Sequence, residues 1–262
     1  MEQYLFTTGI NAIAVAAMML MLWIVSLIIR NAGIVDIFWS LGFVLIAVIS
    51  WVATDDANWR STLILVLTII WGLRLSLHIF IRQIGKGEDR RYGAWRSQHG
   101  SKFWIVSLWL VFGLQGLLLW IISVPLQVGI IVQSSRGVTL FDYLGISLWI
   151  FGFLYESIAD TQLFLFKRNP ANKVKIFDRG LWRFSRHPNY FGEAVLWWGF
   201  YILSVSSGWG ALTFFSPVIL TFLLLKVSGV AMLDRFMKES NPEYAEYIES
   251  TNAFLPGFWK KG

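Results

Sequence analysis

Apolar residues in this chain run in blocks about twenty long, and no other feature of the sequence constrains its fold as strongly. As a helix, a block of that size is long enough to cross the hydrocarbon of a bilayer. Backbone amides find no water in lipid, so such a chain must close its hydrogen bonds within helices. Seven blocks can be read, at about 8–29, 35–53, 61–82, 104–132, 139–163, 190–206 and 210–233, and the fourth is long enough to be broken or tilted. Composition agrees, with 56% of residues hydrophobic, 15% charged and a mean hydropathy of +0.59. The expected fold is an all-α integral membrane protein of seven transmembrane helices, forming a single membrane domain over residues 1–262. The first block is too long for the apolar core of a signal peptide and lacks a basic start and a small-residue cleavage site. It is expected to remain as a helix.

The formal net charge of +6 becomes informative once it is placed along the chain. Arg82, Lys86, Arg90, Arg91, Arg96 and Lys102 lie between the third and fourth blocks, and Lys167, Arg168, Lys173, Lys175, Arg179, Arg183 and Arg186 between the fifth and sixth. The tail adds Arg235, Lys238, Lys260 and Lys261, whereas the opposite loops hold only Arg60 and Arg136. The positive-inside rule then puts the N-terminus outside and the C-terminus in the cytoplasm. Loops at about 83–103 and 164–189, and the tail at about 234–262, are expected on the cytoplasmic side. Membrane orientation accounts for the basic excess, so nucleic acid is not an expected partner. The absence of cysteine excludes disulfides, thiol nucleophiles and cysteine metal sites. His78, His99 and His187 are too scattered for a metal centre, and no metal is expected. Most of the abundant Trp and Tyr is read as interfacial belt.

The stretch Arg186-His187-Pro188-Asn189-Tyr190-Phe191-Gly192-Glu193 packs a cation, an imidazole, an amide and a carboxylate against the apolar run that follows. Polar groups where a chain enters the bilayer are costly and tend to mark sites. Pro188 suits the first turn of a helix, with Asn189 and Glu193 one turn apart on one face. Such a helix start is a natural seat for phosphate. The plain alternative is a solvated helix end with its basic residues on the cytoplasmic side.

Further polar groups lie inside the apolar blocks. Trp71, Arg74, His78 and Arg82 recur at three- and four-residue spacing and share a helix face. Asp36 lies near the start of the second block, and an Asp36–Arg74 ion pair is the structural reading of that pair. Gly152, Glu156 and Asp160 form a stripe running through Phe164 towards Lys167. Charges at such depth cost a few kcal/mol unless paired or wet, which suggests a polar chamber near the cytoplasmic leaflet. A hydrophobic substrate would enter it from the bilayer and an anionic cofactor from the cytoplasm. The tail over 233–256 has helical spacing, with Tyr244 and Tyr247 three apart, and is expected to fold back over the bundle.

The run Asp160…Lys167-Arg168…Arg179-Gly180-Leu181-Trp182…Arg186-His187-Pro188-Asn189-Tyr190-Phe191-Gly192-Glu193, followed by Tyr244…Tyr247…Pro256, resembles the C-terminal half of the steroid 5α-reductase family, above all its bacterial branch. Asp36-Ile37-Phe38-Trp39 and Gly87-Glu88-Asp89-Arg90-Arg91-Tyr92 extend the resemblance over nearly the whole chain, most specifically from about residue 150 onward. It implies seven transmembrane helices, NADPH bound on the cytoplasmic side, and hydride transfer to a carbon–carbon double bond conjugated with a ketone. Asp160, Asn189 and Glu193 match polar cofactor-contacting positions, and Lys167 stands at a basic one. Glu156 stands where the steroid enzymes carry asparagine. Arg168, Arg179, Arg186, His187, Tyr190, Tyr244 and Tyr247 fall in the same motif segments. Lys86, Arg90 and Arg91 correspond to another basic cofactor-facing segment. One departure concerns the ketone, which the steroid enzymes hold with a Gln-Glu pair on helix two and a tyrosine on helix three. Here Asp36 is nearest in position to the glutamate, and Arg74 and His78 replace the tyrosine as catalytic candidates.

The expected function is therefore NADPH-dependent reduction of a hydrophobic enone, a 3-oxo-4-ene steroid or related isoprenoid lipid, by a monomer among membrane lipids. The alternative is an S-adenosylmethionine-dependent methyltransferase resembling the isoprenylcysteine carboxyl methyltransferases, which share the Arg-His-Pro-x-Tyr-x-Gly pattern. Those enzymes usually carry paired glutamates in the tail helix where this chain has Asp234-Arg235, a pair counted here among the cofactor-binding candidates. The seven cations between the fifth and sixth blocks suit a polyphosphate better than a sulfonium amino acid. A transporter would favour inverted repeats with broken helices, and no internal repeat is visible.

Overall fold

The computed structural model describes residues 2–132, 137–172, 175–227, 230, 234, 237 and 244–257. Among these residues the regular structure is entirely helical. They divide into two compact units, one of Met1–Gly137 with Ser204–Thr213 and the other of Val138–Leu203 with Phe214–Gly262.

The first unit begins with α1 (Glu2–Ile29), α2 (Ile34–Val52) and α3 (Trp59–Gln83). The inward stripe of α1 is Thr7, Asn11, Val15, Met19, Leu22 and Ser26, whereas Phe6, Ile13 and Ile28 are 71%, 72% and 76% exposed. A half-polar inner stripe under an apolar outer face suits lipid, where helices gain nothing by hiding apolar side chains from one another. Asn58 caps α3 by accepting from the amides of Arg60 and Ser61. α2 and α3 approach closely at Gly72, where an added Cβ would lie 3.0 Å from the Ser40 carbonyl oxygen. Ser40 Oγ donates to the Gly72 carbonyl at 2.9 Å across the same contact.

Within the segment read as a cytoplasmic loop, Arg90–His99 form α4, because the Asp89 side chain caps it by accepting from the Arg91 amide. The chain continues through α5 (Phe103–Ser107), a π-helical turn at Leu108–Gly113, α6 (Leu114–Ile122) and α7 (Val124–Ile131). The expected break in the fourth block is thus found twice, at the π turn and at Ser123 ahead of Pro125. Polar bonds bind this unit internally. Asn11 Nδ2 donates to Ser50 Oγ at 2.9 Å and to Gln127 Oε1 at 3.0 Å, and Gln127 Nε2 donates to Ser123 Oγ at 2.8 Å.

The second unit holds α8 (Leu140–Arg168), α9 (Pro188–Val205, its last two residues in the first unit), α10 (Phe215–Phe222) and α11 (Tyr244–Ser250). α9 begins at Pro188, as the sequence predicts. Thr139 and Asp142 cap α8 reciprocally, the Thr139 amide and hydroxyl each donating to Asp142 Oδ2 at 2.8 Å. α8 and α9 meet along a glycine seam. A Cβ on Gly152 would lie 2.5 Å from the Leu196 nitrogen, one on Gly192 2.5 Å from the Glu156 nitrogen, and one on Gly199 2.7 Å from the Trp149 nitrogen. Backbones this close admit only hydrogen at those positions. The seam sets an antiparallel register that brings the start of α9 opposite the Glu156–Asp160 turn of α8.

Four stretches among the described residues are long and apolar enough to cross a membrane: Glu2–Ile29, Ile34–Val52, Trp59–Gln83 and Arg90–Ile122. α8 has the length, at 29 residues, but Asp142, Glu156 and Asp160 dilute its apolar character.

Candidate functional site

In the second unit the polar residues gather where α9 starts. Glu156, Asp160 and Glu193 are only 2%, 5% and 8% exposed, so three carboxylates are withdrawn from water at one end of an apolar helix pair. Asn189 Nδ2 donates to Asp160 Oδ1 at 3.2 Å. Asn189 Oδ1 is buried and has no hydrogen-bond partner among the described residues. An orphaned amide oxygen beside buried carboxylates is costly to the bare fold, and it offers an acceptor to an incoming N–H or O–H.

The turn leading into α9 is anchored to α8. Leu181 N donates to Gln162 Oε1 at 3.0 Å and Trp182 Nε1 to the Ala159 carbonyl at 3.0 Å. Gly180 makes this possible, since its φ is +59° and a Cβ would collide with the Gln162 amide. Arg168, Lys175, Arg179 and Arg183 are exposed along the same connection. Lys167, a cofactor-binding candidate from the sequence, donates to the carbonyls of Lys175 at 2.7 Å and Asn172 at 3.2 Å. Its charge holds the connection together.

Arg186 and His187 converge on Asp234. Arg186 Nη2 donates to Asp234 Oδ2 at 2.6 Å and its Nε to Oδ1 at 3.3 Å. Tyr244 Oη donates to Oδ1 at 2.6 Å, and His187 Nε2 lies 3.0 Å from the same oxygen. An ionised carboxylate only accepts, so His187 Nε2 carries the hydrogen. Burial pushes the Asp234 carboxyl up, but the bonds from His187, Arg186 and Tyr244 outweigh it and hold the group well below the ordinary carboxylate range. Burial, and then Asp234, push the Tyr244 phenol up, so it stays a donor. Arg186 Nη1 also donates to the carbonyls of Thr251 and Ile248 at the end of α11. Tyr247 donates to the Trp182 carbonyl, Arg186 N to the Asn252 carbonyl at 2.9 Å, and Ser185 Oγ to the Phe254 carbonyl at 2.8 Å. The tail therefore folds back onto the approach to α9, and Arg186 and His187 are its latch. His187 also stacks on Tyr190, centroids 5.6 Å apart. Arg235 lies outside the described residues.

A second polar cluster forms in the first unit. Asp36 Oδ2 accepts from Arg91 Nη2 at 2.7 Å, and Oδ1 accepts from Tyr92 Oη at 2.8 Å. Gln115 Nε2 donates to Tyr92 Oη at 3.1 Å. Glu88 takes a bidentate pair from Arg96, both bonds at 2.8 Å, and accepts from the Ala32 amide at 2.8 Å, which ties the loop to the α1–α2 turn. Burial raises the Glu88 carboxyl, but Arg96 and the Ala32 amide hold it below its usual value. The guanidinium on Asp36 is thus that of Arg91, whereas the structural alternative weighed from the sequence paired it with Arg74. Arg74 and His78 lie half-buried on α3, and Lys86 and Arg90 are exposed.

A family profile described as "protein of unknown function (DUF1295)" matches residues 22–251 of the chain. The chain belongs to the DUF1295 family. An uncharacterized protein of the yeast Schizosaccharomyces pombe is 24% identical over 260 residues, covering 90% of this chain and 75% of the yeast protein. No solved structure matches the chain. The DUF1295 match takes in both clusters, from Asp36 to the Arg186–Asp234–Tyr244 latch.

Two members of this DUF1295 chain's first cluster, Tyr92 and Gln115, were missed by sequence reasoning. Together with Asp36 they make a carboxylate–tyrosine–glutamine trio drawn from α2, α4 and α6. Tyr92 ends the Gly87–Tyr92 run and could have been suspected there. Gln115 is a single amide in an apolar helix and gave no local signal beyond its cost in lipid.

Proposed function

We propose that this protein is an NADPH-dependent membrane reductase of the conjugated C=C bond of a hydrophobic enone, a 3-oxo-4-ene steroid or related isoprenoid lipid. The carrying observation is the orphaned Asn189 Oδ1 beside Asp160, one turn from Glu193, at positions where the resemblance to the steroid 5α-reductases implies cofactor contacts. The donor set suits the cofactor. Asn189 Oδ1 would accept an amide N–H or ribose O–H, Asp160 fixes the orientation of the Asn189 amide, and Arg168, Lys175, Arg179 and Arg183 supply exposed charge for phosphates. NADPH, when bound, supplies hydride to the β-carbon of an enone, and negative charge then develops on the carbonyl oxygen. A hydrogen-bond donor aimed at that oxygen lowers the barrier. The resemblance assigns this role to α2 and α3, where Asp36, Arg74 and His78 stand. Tyr92 adds a hydroxyl held by Asp36 and Gln115.

Purified protein in mild detergent is expected to bind NADPH more tightly than NADH and to ignore S-adenosylmethionine. Asn189→Ala and Glu193→Ala should abolish NADPH binding while leaving a folded, detergent-stable protein. Asp36→Ala, which removes the carboxylate that holds Tyr92 and Arg91, and His78→Ala should each cut enone turnover while leaving NADPH affinity nearly unchanged, because a donor to the carbonyl oxygen acts mainly in the transition state. Equal affinity for NADH and NADPH, or unfolding by Glu193→Ala with no separable binding defect, counts against the reading.

A methyltransferase of an isoprenoid or lipid is the second reading. It is favoured by the neutralisation of Arg186 by Asp234, which removes one phosphate ligand, and by three buried carboxylates that suit an aminoacyl sulfonium. Preferential binding of S-adenosylmethionine in the same titration selects it.

The proposed setting is a monomer with seven spans, N-terminus outside and C-terminus cytoplasmic, in a bacterial inner membrane with the cofactor site on the cytoplasmic side. The lack of cysteine makes this testable by single-cysteine labelling. Positions in 86–100, in 168–183 and in the tail should react from the cytoplasm, and positions near Asp56 from the other side. Reaction of the tail from the opposite side to 86–100 overturns the arrangement.

A further inference from the structure

In the first unit, α2 and α3 touch at Ser40 and Gly72, and on one side of that contact they leave an apolar groove of about 650 Å³. Ile34, Phe38 and Leu41 line it from α2, and Leu73, Leu77 and Phe80 from α3. Leu73 to Gln83 is about 15 Å of helix, half the hydrocarbon thickness of a bilayer. The groove is therefore as long as one leaflet is thick. Its only polar lining is Ser76 along the wall and Asn31 and Gln83 at one end. Asn31 accepts from the Gly33 amide through Oδ1. No hydrogen bond among the described residues uses the Asn31 NH2 group or the Gln83 amide.

That end is also cationic. Arg30 precedes Asn31, Arg82 precedes Gln83, and Lys86 follows two residues after Ile84, a further lining residue. All three cations are exposed; among the described residues none makes a close ion pair, although the charge of Arg82 is felt by Asp36 and Asp89. Nearby Arg91 and Arg96, by contrast, are each committed to carboxylates. An apolar groove as long as a leaflet is thick, closed by unspent amide donors and flanked by three exposed cations, is complementary to one kind of molecule.

We infer that this groove seats one chain of an anionic membrane lipid, with its phosphate-bearing headgroup held at the rim by the Asn31 and Gln83 amides and by Arg30, Arg82 and Lys86. The chain supplies the apolar contact and the headgroup the selectivity. Lys86 is thereby assigned to lipid, and this site stands or falls independently of the reductase reading.

The test is native mass spectrometry of the full chain in mild detergent, titrated with dipalmitoylphosphatidylglycerol and, separately, dipalmitoylphosphatidylcholine. Phosphatidylglycerol is expected to bind more tightly, and each cation replaced by glutamine should weaken that preference roughly fivefold, since a Lys or Arg near an anionic lipid surface contributes about 1 kcal/mol. The triple Arg30→Gln, Arg82→Gln, Lys86→Gln variant should bind the two lipids alike. Leu41→Trp with Leu77→Trp fills the groove and should block both. As a check that needs no variant, phosphatidylglycerol carrying a diazirine in its chain should label Ile34–Leu41 or Leu73–Phe80. Equal binding of the two lipids by the unaltered chain overturns the inference, as does a preference that survives the triple variant. Label confined to other helices, or displacement of phosphatidylglycerol by equimolar inorganic phosphate, also overturns it.

Discussion

Replacing Asp234 by alanine is expected to cost about 3–5 kcal/mol, the usual penalty for stripping one partner from a buried charge pair. Arg186 is only 8% exposed and would be left with its cation uncompensated. Tyr244 and His187 would lose their acceptor at the same time. The tail should then leave the approach to α9, which limited proteolysis reads as new cleavage around 244–257 together with a lower melting temperature. Asp234→Asn keeps an acceptor oxygen but loses the charge, and should fall between the two. The pH dependence follows from the depressed carboxyl of Asp234. Its contribution is complete above the unfolded carboxyl value of about 4 and is lost as pH falls through the lower folded value. Acid should therefore release the tail of the unaltered protein, while Asp234→Asn shows a flatter acid profile. Unchanged melting and proteolysis in Asp234→Ala would mean that the latch contributes nothing.

Gly192→Leu is the second large effect expected. Even its Cβ would sit 2.5 Å from the Glu156 nitrogen and 2.8 Å from the Gly152 carbonyl oxygen. Both obstacles are helix backbone and cannot swing aside, so the cost should reach the upper end of overpacking, about 3 kcal/mol or more. Forcing α8 and α9 apart also separates Asp160 from Asn189, now bonded at 3.2 Å, so the NADPH binding proposed for this site should fail along with stability. The control is Gly93 on α4, where an added Cβ meets nothing within 4 Å. Gly93→Ala should be neutral or raise stability by about 0.5–1 kcal/mol through helix propensity. If the two variants melt alike, the seam is not what holds this helix pair.

The sequence by itself determined the parts that depend on local physics. Block length dictated helices: α2 and α3 appear within two residues of where the apolar runs predict them, and α1 ends where predicted but starts six residues earlier. Pro188 marked the start of α9 because a missing N–H loses nothing there. The Gly152–Glu156–Asp160 stripe was legible from helical spacing, and all three residues are buried. Helix α4 was read as loop because its charged sequence carries no apolar period, while its capping aspartate is a signal only in hindsight.

Tertiary structure alone decided who pairs with whom. Arg186 and His187 read as cofactor ligands from their place in the octet, yet they latch the tail through Asp234, which lies 48 and 47 residues away. Asp36 meets Tyr92 across 56 residues and not through the helix periodicity that pointed to Arg74. A buried charge in an apolar surrounding must find a counter-charge or donors, but periodicity says only which face it lies on. The partner is set by helix register, and register here is set by backbone contacts at Gly72, Gly152 and Gly192. Glycine appears in the sequence as a residue with no side chain. Only the packed helices show that the missing Cβ is what lets Asp160 and Asn189 meet.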